Sequence, residues 1–282
     1  MSLKTTLSIF TLSAGALFVA SCGEGNNDQS GNADTTQVAT PAAKEITLSD
    51  VPASPDFPDA QLSITSVTAE KQGTDSVKVT FNYGVKNYEL KSQTADAEGK
   101  QCNNSAQGQH IHFILDNKPY AALYEPKHSV TIPMNSDEHY VMSFLSRSYH
   151  ESVKTKGAAL VYHFKLNDNG KVEKLADPTT PMVFYSRPKG DYLGKDTENV
   201  LFDFYVWNAT LGADYKVSAK INSGDQEKIV DVTAWKAQFI HGLAMGKSSI
   251  TLTLTDKDGK AVEGPMTTVT REFNLSQDEP MK

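Results

Sequence analysis

GQHIHFILDNKPYAALYEPKHSVTIPMNSDEHYVMSFLSRSYH, residues 108–150, is the stretch from which the fold can be read. It contains three short runs, HIHFIL, HSVTIP and HYVMSFLS, in which apolar and polar residues largely alternate and turn residues stand between. A period of two is the signature of a β-strand, because successive side chains point to opposite faces. In the first run Ile111, Phe113 and Leu115 share one face and turn to a core. His110 and His112 then stand side by side on the other. Five of the seven histidines of the chain lie in this stretch. His128, His139 and His150 follow at the edges of later strands, where a sandwich can bring them towards the first pair.

The same pattern continues on both sides. LSITSVTA, SVKVTFNYGV and AALVYHFKL flank it, and NVLFDFYVW, DYKVSAKI, EKIVDV, AQFIHG, SSITLTLTD and TTVTREFNL follow Pro181. Short Val-, Thr- and aromatic-rich strands with turns between them, and no amphipathic helix, predict an all-β chain of two tandem immunoglobulin-like β-sandwiches. Two anchors repeat in order. VTFNYGVKNYEL (79–90) aligns with VLFDFYVWNATL (200–211), sharing Val, Phe, Val, Asn and Leu in place, and LVYHFKL (160–166) matches VTREFNL (269–275). This order implies duplication of one sandwich, with the first at 45–176 and the second at 177–282, and with the break in the polar run from Asn167 to Pro181. Gly242-Leu243-x-x-Gly246 followed by Ile250, Leu252 and Leu254 resembles the turn and strand of bacterial immunoglobulin-like domains, including fibronectin type III relatives. Asp256 and Asp258 lack the further ligands of a calcium loop and read as a turn.

The N-terminal 21 residues read as a signal peptide: Lys4, then an apolar run, then small residues before Cys22. This resembles the bacterial lipoprotein signal, with Val19 where Leu is commonest. The resemblance implies that Cys22 is lipidated and inserted in a bilayer, with the protein in the cell envelope on a periplasmic or surface face. Residues 22–44 are polar and lack aromatics, the composition of a flexible tether.

A net charge of −7 argues against nucleic acid as a partner. No G-x-S-x-G elbow is present, and His150-Glu151-Ser152-Val153-Lys154 has lysine where a zinc-protease helix needs its second histidine. A non-catalytic binding protein is therefore expected. Imidazole suits copper or zinc, and His110, His112, His139 and His150 are the metal-ligand candidates. Cys102 reads either as a soft ligand beside them or as a tolerated loop cysteine. The stretch also resembles a class of bacterial envelope domains in which a Gly-x-His-x-His strand and a following Asp precede further histidines. That resemblance implies a binding surface. Asp116, Tyr124, Arg147 and Tyr149 are the candidates for contacts to a ligand. The rival reading is a structural or adhesive surface protein that binds a peptide, glycan or envelope protein without metal. On an outward face the histidines would titrate near neutral pH.

Overall fold

The structure is a computed structural model describing residues 44–135 and 137–277. The expected signal peptide, Cys22 and the expected tether up to residue 43 lie outside the described residues. The described residues form one compact unit. Nine strands come first: β1 (Thr47–Asp50), β2 (Gln61–Gln72), β3 (Ser76–Lys86), β4 (His110–Leu115), β5 (Ala121–Leu123), β6 (Lys127–Pro133), β7 (Glu138–Ser146), β8 (Ala159–Leu166) and β9 (Val172–Lys174). Eight follow: β10 (Met182–Arg187), β11 (Gly190–Leu193), β12 (Val200–Trp207), β13 (Tyr215–Ser223), β14 (Gln226–Val232), β15 (Gln238–His241), β16 (Gly246–Asp256) and β17 (Thr268–Ser276).

These strands build two immunoglobulin-like sandwiches. In the first, β2-β3-β6 faces β5-β4-β7-β8-β9; in the second, β1-β15-β12-β10 faces β11-β17-β16-β13-β14. The central order is the same twice. β2-β3-β6 corresponds to β10-β12-β15, and β5-β4-β7-β8 to β14-β13-β16-β17. The repeated sequence anchors fall on corresponding strands, β3 with β12 and β8 with β17. Their shared asparagine does the same work in each. Asn87 and Asn208 both take left-handed φ, 55° and 52°. Their side-chain amides donate to Asp59 O at 3.0 Å and to Pro178 O at 2.6 Å, tying each turn to the segment that enters its sandwich.

Alternation places the cores. Val77, Val79, Phe81 and Tyr83 of β3 pack with Ile111, Phe113 and Leu115 of β4. In the second sandwich Ile250, Leu252 and Leu254 of β16 are fully buried against Phe202 and Phe204 of β12. Asp256 closes the next turn by accepting the backbone N–H groups of Asp258 and Lys260, each at 2.9 Å. Its carboxylate is a turn-former, in agreement with the sequence.

Two features lay beyond the strand pattern. β1 opens the chain but pairs with β15, Thr47 opposite His241 and Asp50 opposite Gln238, and Ile46 sits in the second core. Residues 46–50, expected in the first sandwich, thus complete the second. Gly242 makes this passage fit: its φ is +77°, and a side chain there would run into the carbonyl of Glu45.

The second feature is a joint between the sandwiches. The outer face of β4, β7 and β8 carries Ile114, Tyr140, Met142, Phe144 and Val161, which pack on Met182 and Phe184 of β10 and Tyr205 of β12. β4 and β10 are buried at every position. Polar contacts lock the joint. Asn117 donates to Val183 O at 2.8 Å and accepts from Tyr185 N at 3.0 Å. Lys154 pairs with Asp203 at 2.6 Å, and Asp203 is 1% exposed. Leaving a carboxylate alone at such depth costs about 3–5 kcal/mol, so this pair holds the two sandwiches in one arrangement.

Candidate metal centre

The histidine face of β4 looks into this joint. His110 and His112 are fully buried and His150 is 7% exposed. The expected outward face is therefore an inner one, because the second sandwich covers the sheet on its far side. Gly108 begins the arrangement at φ +80°, so close to the chain that a Cβ would meet Ser92 O at 2.6 Å. Its carbonyl accepts the Nδ1 proton of His110 at 2.8 Å. That bond fixes the tautomer and leaves the His110 Nε2 lone pair pointing into the joint. His112 Nε2 lies 2.9 Å from that atom, and His112 Nδ1 lies 3.1 Å from Ser186 Oγ of β10. His150 comes from the turn after β7. It takes φ 68° and its N–H donates to Arg147 O at 2.9 Å, which folds the imidazole back over β4. Its Nδ1 is 3.1 Å from His110 Nε2.

Three imidazoles thus offer ligand atoms that all lie within 4.8 Å of one another. An imidazole nitrogen has one in-plane lone pair or one proton. Two ring nitrogens converge on His110 Nε2, which can accept from only one of them. A cation with several coordination positions satisfies all three. Zinc–imidazole bonds of about 2.0–2.1 Å place ligand nitrogens about 3.3 Å apart in a tetrahedron, a few tenths of an ångström from the 2.9 and 3.1 Å that separate His110 Nε2 from His112 Nε2 and His150 Nδ1.

The electrostatics favour neutral rings. Burial brings the His110 pKa down to about 4, against the opposing pull of the Gly108 carbonyl, and nearby Arg187 lowers it further. Burial also holds His112 and His150 well below the ordinary range, and the other imidazoles, Arg187 and Lys189 act in the same direction. Neutral imidazole is the form that binds metal. Arg187 is 6% exposed, and no carboxylate lies within ion-pair distance of it among the described residues.

The remaining candidates go elsewhere. His139 is not in the cluster: its Nδ1 donates to Asp116 Oδ2 at 2.8 Å, and its ring packs on Phe164. It stands seven residues down β7 from Ser146, the partner of His110, which is roughly 24 Å at ~3.4 Å per residue. Asp116 also accepts Tyr140 N at 2.9 Å and is a turn residue. His128 belongs to the opposite sheet, against Phe113. Arg147 is buried, donating to Pro55 O at 2.6 Å and Ser152 O at 3.1 Å, and Tyr149 is fully buried with its hydroxyl on Asp96 at 3.1 Å. Both hold loops; Tyr149 offers no surface to a ligand, while Arg147 lines an open surface pocket with Asp56, Glu151 and Lys154. Tyr124 borders the cluster, 5.0 Å from the His110 ring between centroids, with its hydroxyl 2.6 Å from Ser105 Oγ. Cys102 is buried against Tyr149, Leu201 and Phe239, and burial raises its thiol to about 12. It stays a neutral thiol outside the triad.

Ser186, Arg187 and Lys189 were not visible as site residues, since they come from the second sandwich. The one sequence signal for a covering layer was that YVMSFL is apolar on both parities, the mark of a sheet buried on both sides.

No family model matches the chain, and no curated protein does. Among solved structures, the fibronectin(III)-like modules of Clostridium thermocellum CbhA align with 76% of this chain and 94% of theirs, at 11% identity and a TM-score of 0.26. A likeness that distant carries nothing about function.

Proposed function

We propose that this protein is a non-catalytic metal-binding module of the bacterial envelope, holding copper or zinc through His110, His112 and His150. The observation that carries the reading is the gathering of three buried, neutral imidazoles at the joint, with ligand atoms within 4.8 Å of one another. The site is closed, with ligand residues 0–7% exposed. Such a centre retains an ion and gives a substrate no way in. His110 and His112 belong to the first sandwich, while Ser186 of the second orients His112. A bound ion would therefore stiffen the joint. At a hundred times the dissociation constant it would stabilise the fold by about 2.7 kcal/mol. Acylation of Cys22, with residues 23–44 as a tether, would hold the module on a bilayer. The support for that part is the small-residue run before Cys22.

The competing reading is a structural or adhesive protein whose histidines only pack the joint. One observation favours it: the relay from Gly108 O through His110 and His112 to Ser186 is a complete hydrogen-bond chain without an ion. Calorimetric titration of residues 45–282 with copper and with zinc separates the two. Saturable one-to-one binding, with a rise in the unfolding temperature, is expected. Flat traces with both ions would leave only the packing role.

A further inference from the structure

The centre has three ligands and no fourth. Its ring centres lie 4.9, 4.8 and 5.8 Å apart. An imidazole nitrogen bonded at about 2.0 Å puts its ring centre about 3.1 Å from the ion, so three rings around one ion have centres about 5.1–5.4 Å apart. The mean spacing here falls in that range. Among the described residues, the one group of His, Cys, Asp or Glu side chains placed to hold an ion is His110, His112 and His150. Tyr120 lies flat on His112, with centroids 3.7 Å apart and planes 10° from parallel, so it covers that ring instead of sharing an ion with it. Zinc with three protein ligands keeps a water in its fourth position, and these ligands are only 0–7% exposed.

The surroundings are positive. Lys189 Nζ and Arg187 Cζ lie 4.2 and 5.5 Å from the centre of the Tyr120 ring that stacks on His112. Arg187 acts on all three imidazoles, and Lys189 on His112 and His150. Neither cation is paired with a carboxylate among the described residues. The charged groups acting on Lys189 are Arg187 and Arg271, both cations. Those acting most on Arg187 are Tyr192, Tyr120 and Cys102, and its buried Nε has no hydrogen-bond partner. Coulomb repulsion grows in proportion to an ion's charge. With neutral ligands and fixed cations, a divalent ion meets twice the opposition of a monovalent one.

We infer that the centre takes its ion as Cu(I), held by the three imidazoles alone, in preference to a divalent metal. This rests on the metal-binding reading above. Cu(I) carries a single charge and is stable with two or three ligands, so it needs neither a water nor an anion in the joint. Imidazole is a suitable donor for copper. Binding involves no redox step: the ion enters as Cu(I), and each ring gives one nitrogen lone pair.

Anaerobic competition against a coloured Cu(I) chelator, and parallel competition of Zn(II) against a zinc indicator, test this on residues 45–282. The wild type should bind one Cu(I) about 100-fold more tightly than Zn(II). Arg187→Gln removes one fixed charge and should tighten Zn(II) by about 100-fold and Cu(I) by about tenfold. Thermal unfolding with chelator shows whether that variant is folded. If it is not, Lys189→Gln, at a half-buried position, should give the same ordering in smaller steps. Zn(II) bound as tightly as Cu(I) by the wild type, or a charge-removing variant that shifts both ions equally, would overturn the Cu(I) assignment and leave the histidine centre standing. Binding of neither ion would remove both.

Discussion

Replacing His112 with alanine is expected to abolish tight copper and zinc binding, whereas replacing His139 is expected to leave it intact. Both residues are buried on the same five-stranded sheet, and both were metal-ligand candidates by sequence. Only His112 faces the joint, with its Nε2 2.9 Å from that of His110. Groups that merely orient a metal ligand contribute 10–100-fold to affinity. Loss of one of three imidazole ligands should therefore weaken binding by at least ~100-fold. His139 is engaged with Asp116 and directed at Phe164, so its loss changes stability and not affinity. Isotherms for the two variants decide the matter, with thermal unfolding in the presence of chelator as the check that each is folded. Equal loss of binding in His139→Ala, or unchanged binding in His112→Ala, would place any metal site elsewhere.

Acidification should destabilise the metal-free protein between pH 6.5 and about 4. The sign follows from which state takes up protons. The His110 pKa is lowered on folding from 6.5 to about 4. Above pH 6.5 both states hold it neutral, and its full contribution is present. Below that the unfolded chain binds a proton that the folded chain refuses, so stability falls with pH until the folded pKa is reached. A difference of about 2.5 units corresponds to about 3 kcal/mol for His110 alone. His112 and His150 are shifted in the same direction and add to the loss. Arg187 and Lys189 cannot offset it, since both are cations facing the rings. Urea unfolding at several pH values from 7.5 to 4.5, with chelator, should show the decline, and His110→Gln should make it shallower without removing it, since His112 and His150 remain. A wild-type stability independent of pH across that range would mean that the rings are not buried neutral. Saturating metal should hold the rings deprotonated and move the decline to lower pH.

Much of the architecture was legible because alternation is a local property. The strand at His110–Leu115, the inward set Ile111, Phe113 and Leu115, and the core positions Ile250, Leu252 and Leu254 follow from a period of two. The anchors at Val79 and Val200 fell on equivalent strands because the same turn, closed by Asn87 and Asn208, follows each. The pairing of His110 with His112 followed from the same reasoning. What covers a sheet is not local. The second sandwich lies over the histidine face, and with it come burial, depressed pKa values, and Ser186 and Arg187 as neighbours. Strand parity divides His139 from the cluster, since it shares a face with Val141 and Leu145. β7 is apolar on both parities, so its sequence alone could not say which face was the core. His150 lies past the strand in a left-handed turn, where no period applies. Arg147 and Tyr149, next to it, looked like ligand contacts because charged and aromatic residues in a loop usually face water. Here the loop folds inward, and they tie it to neighbouring segments, Arg147 at Pro55 O and Tyr149 at the Asp96 carboxylate.

X-ray absorption at the metal edge of the copper- or zinc-loaded protein tests the central claim most directly. Three buried histidines predict a first shell with about three imidazole nitrogens at about 2.0 Å, seen through the multiple scattering of the rings. A shell of oxygen donors with one imidazole or none would contradict it, because the ion would then be bound somewhere other than the joint between the two sandwiches.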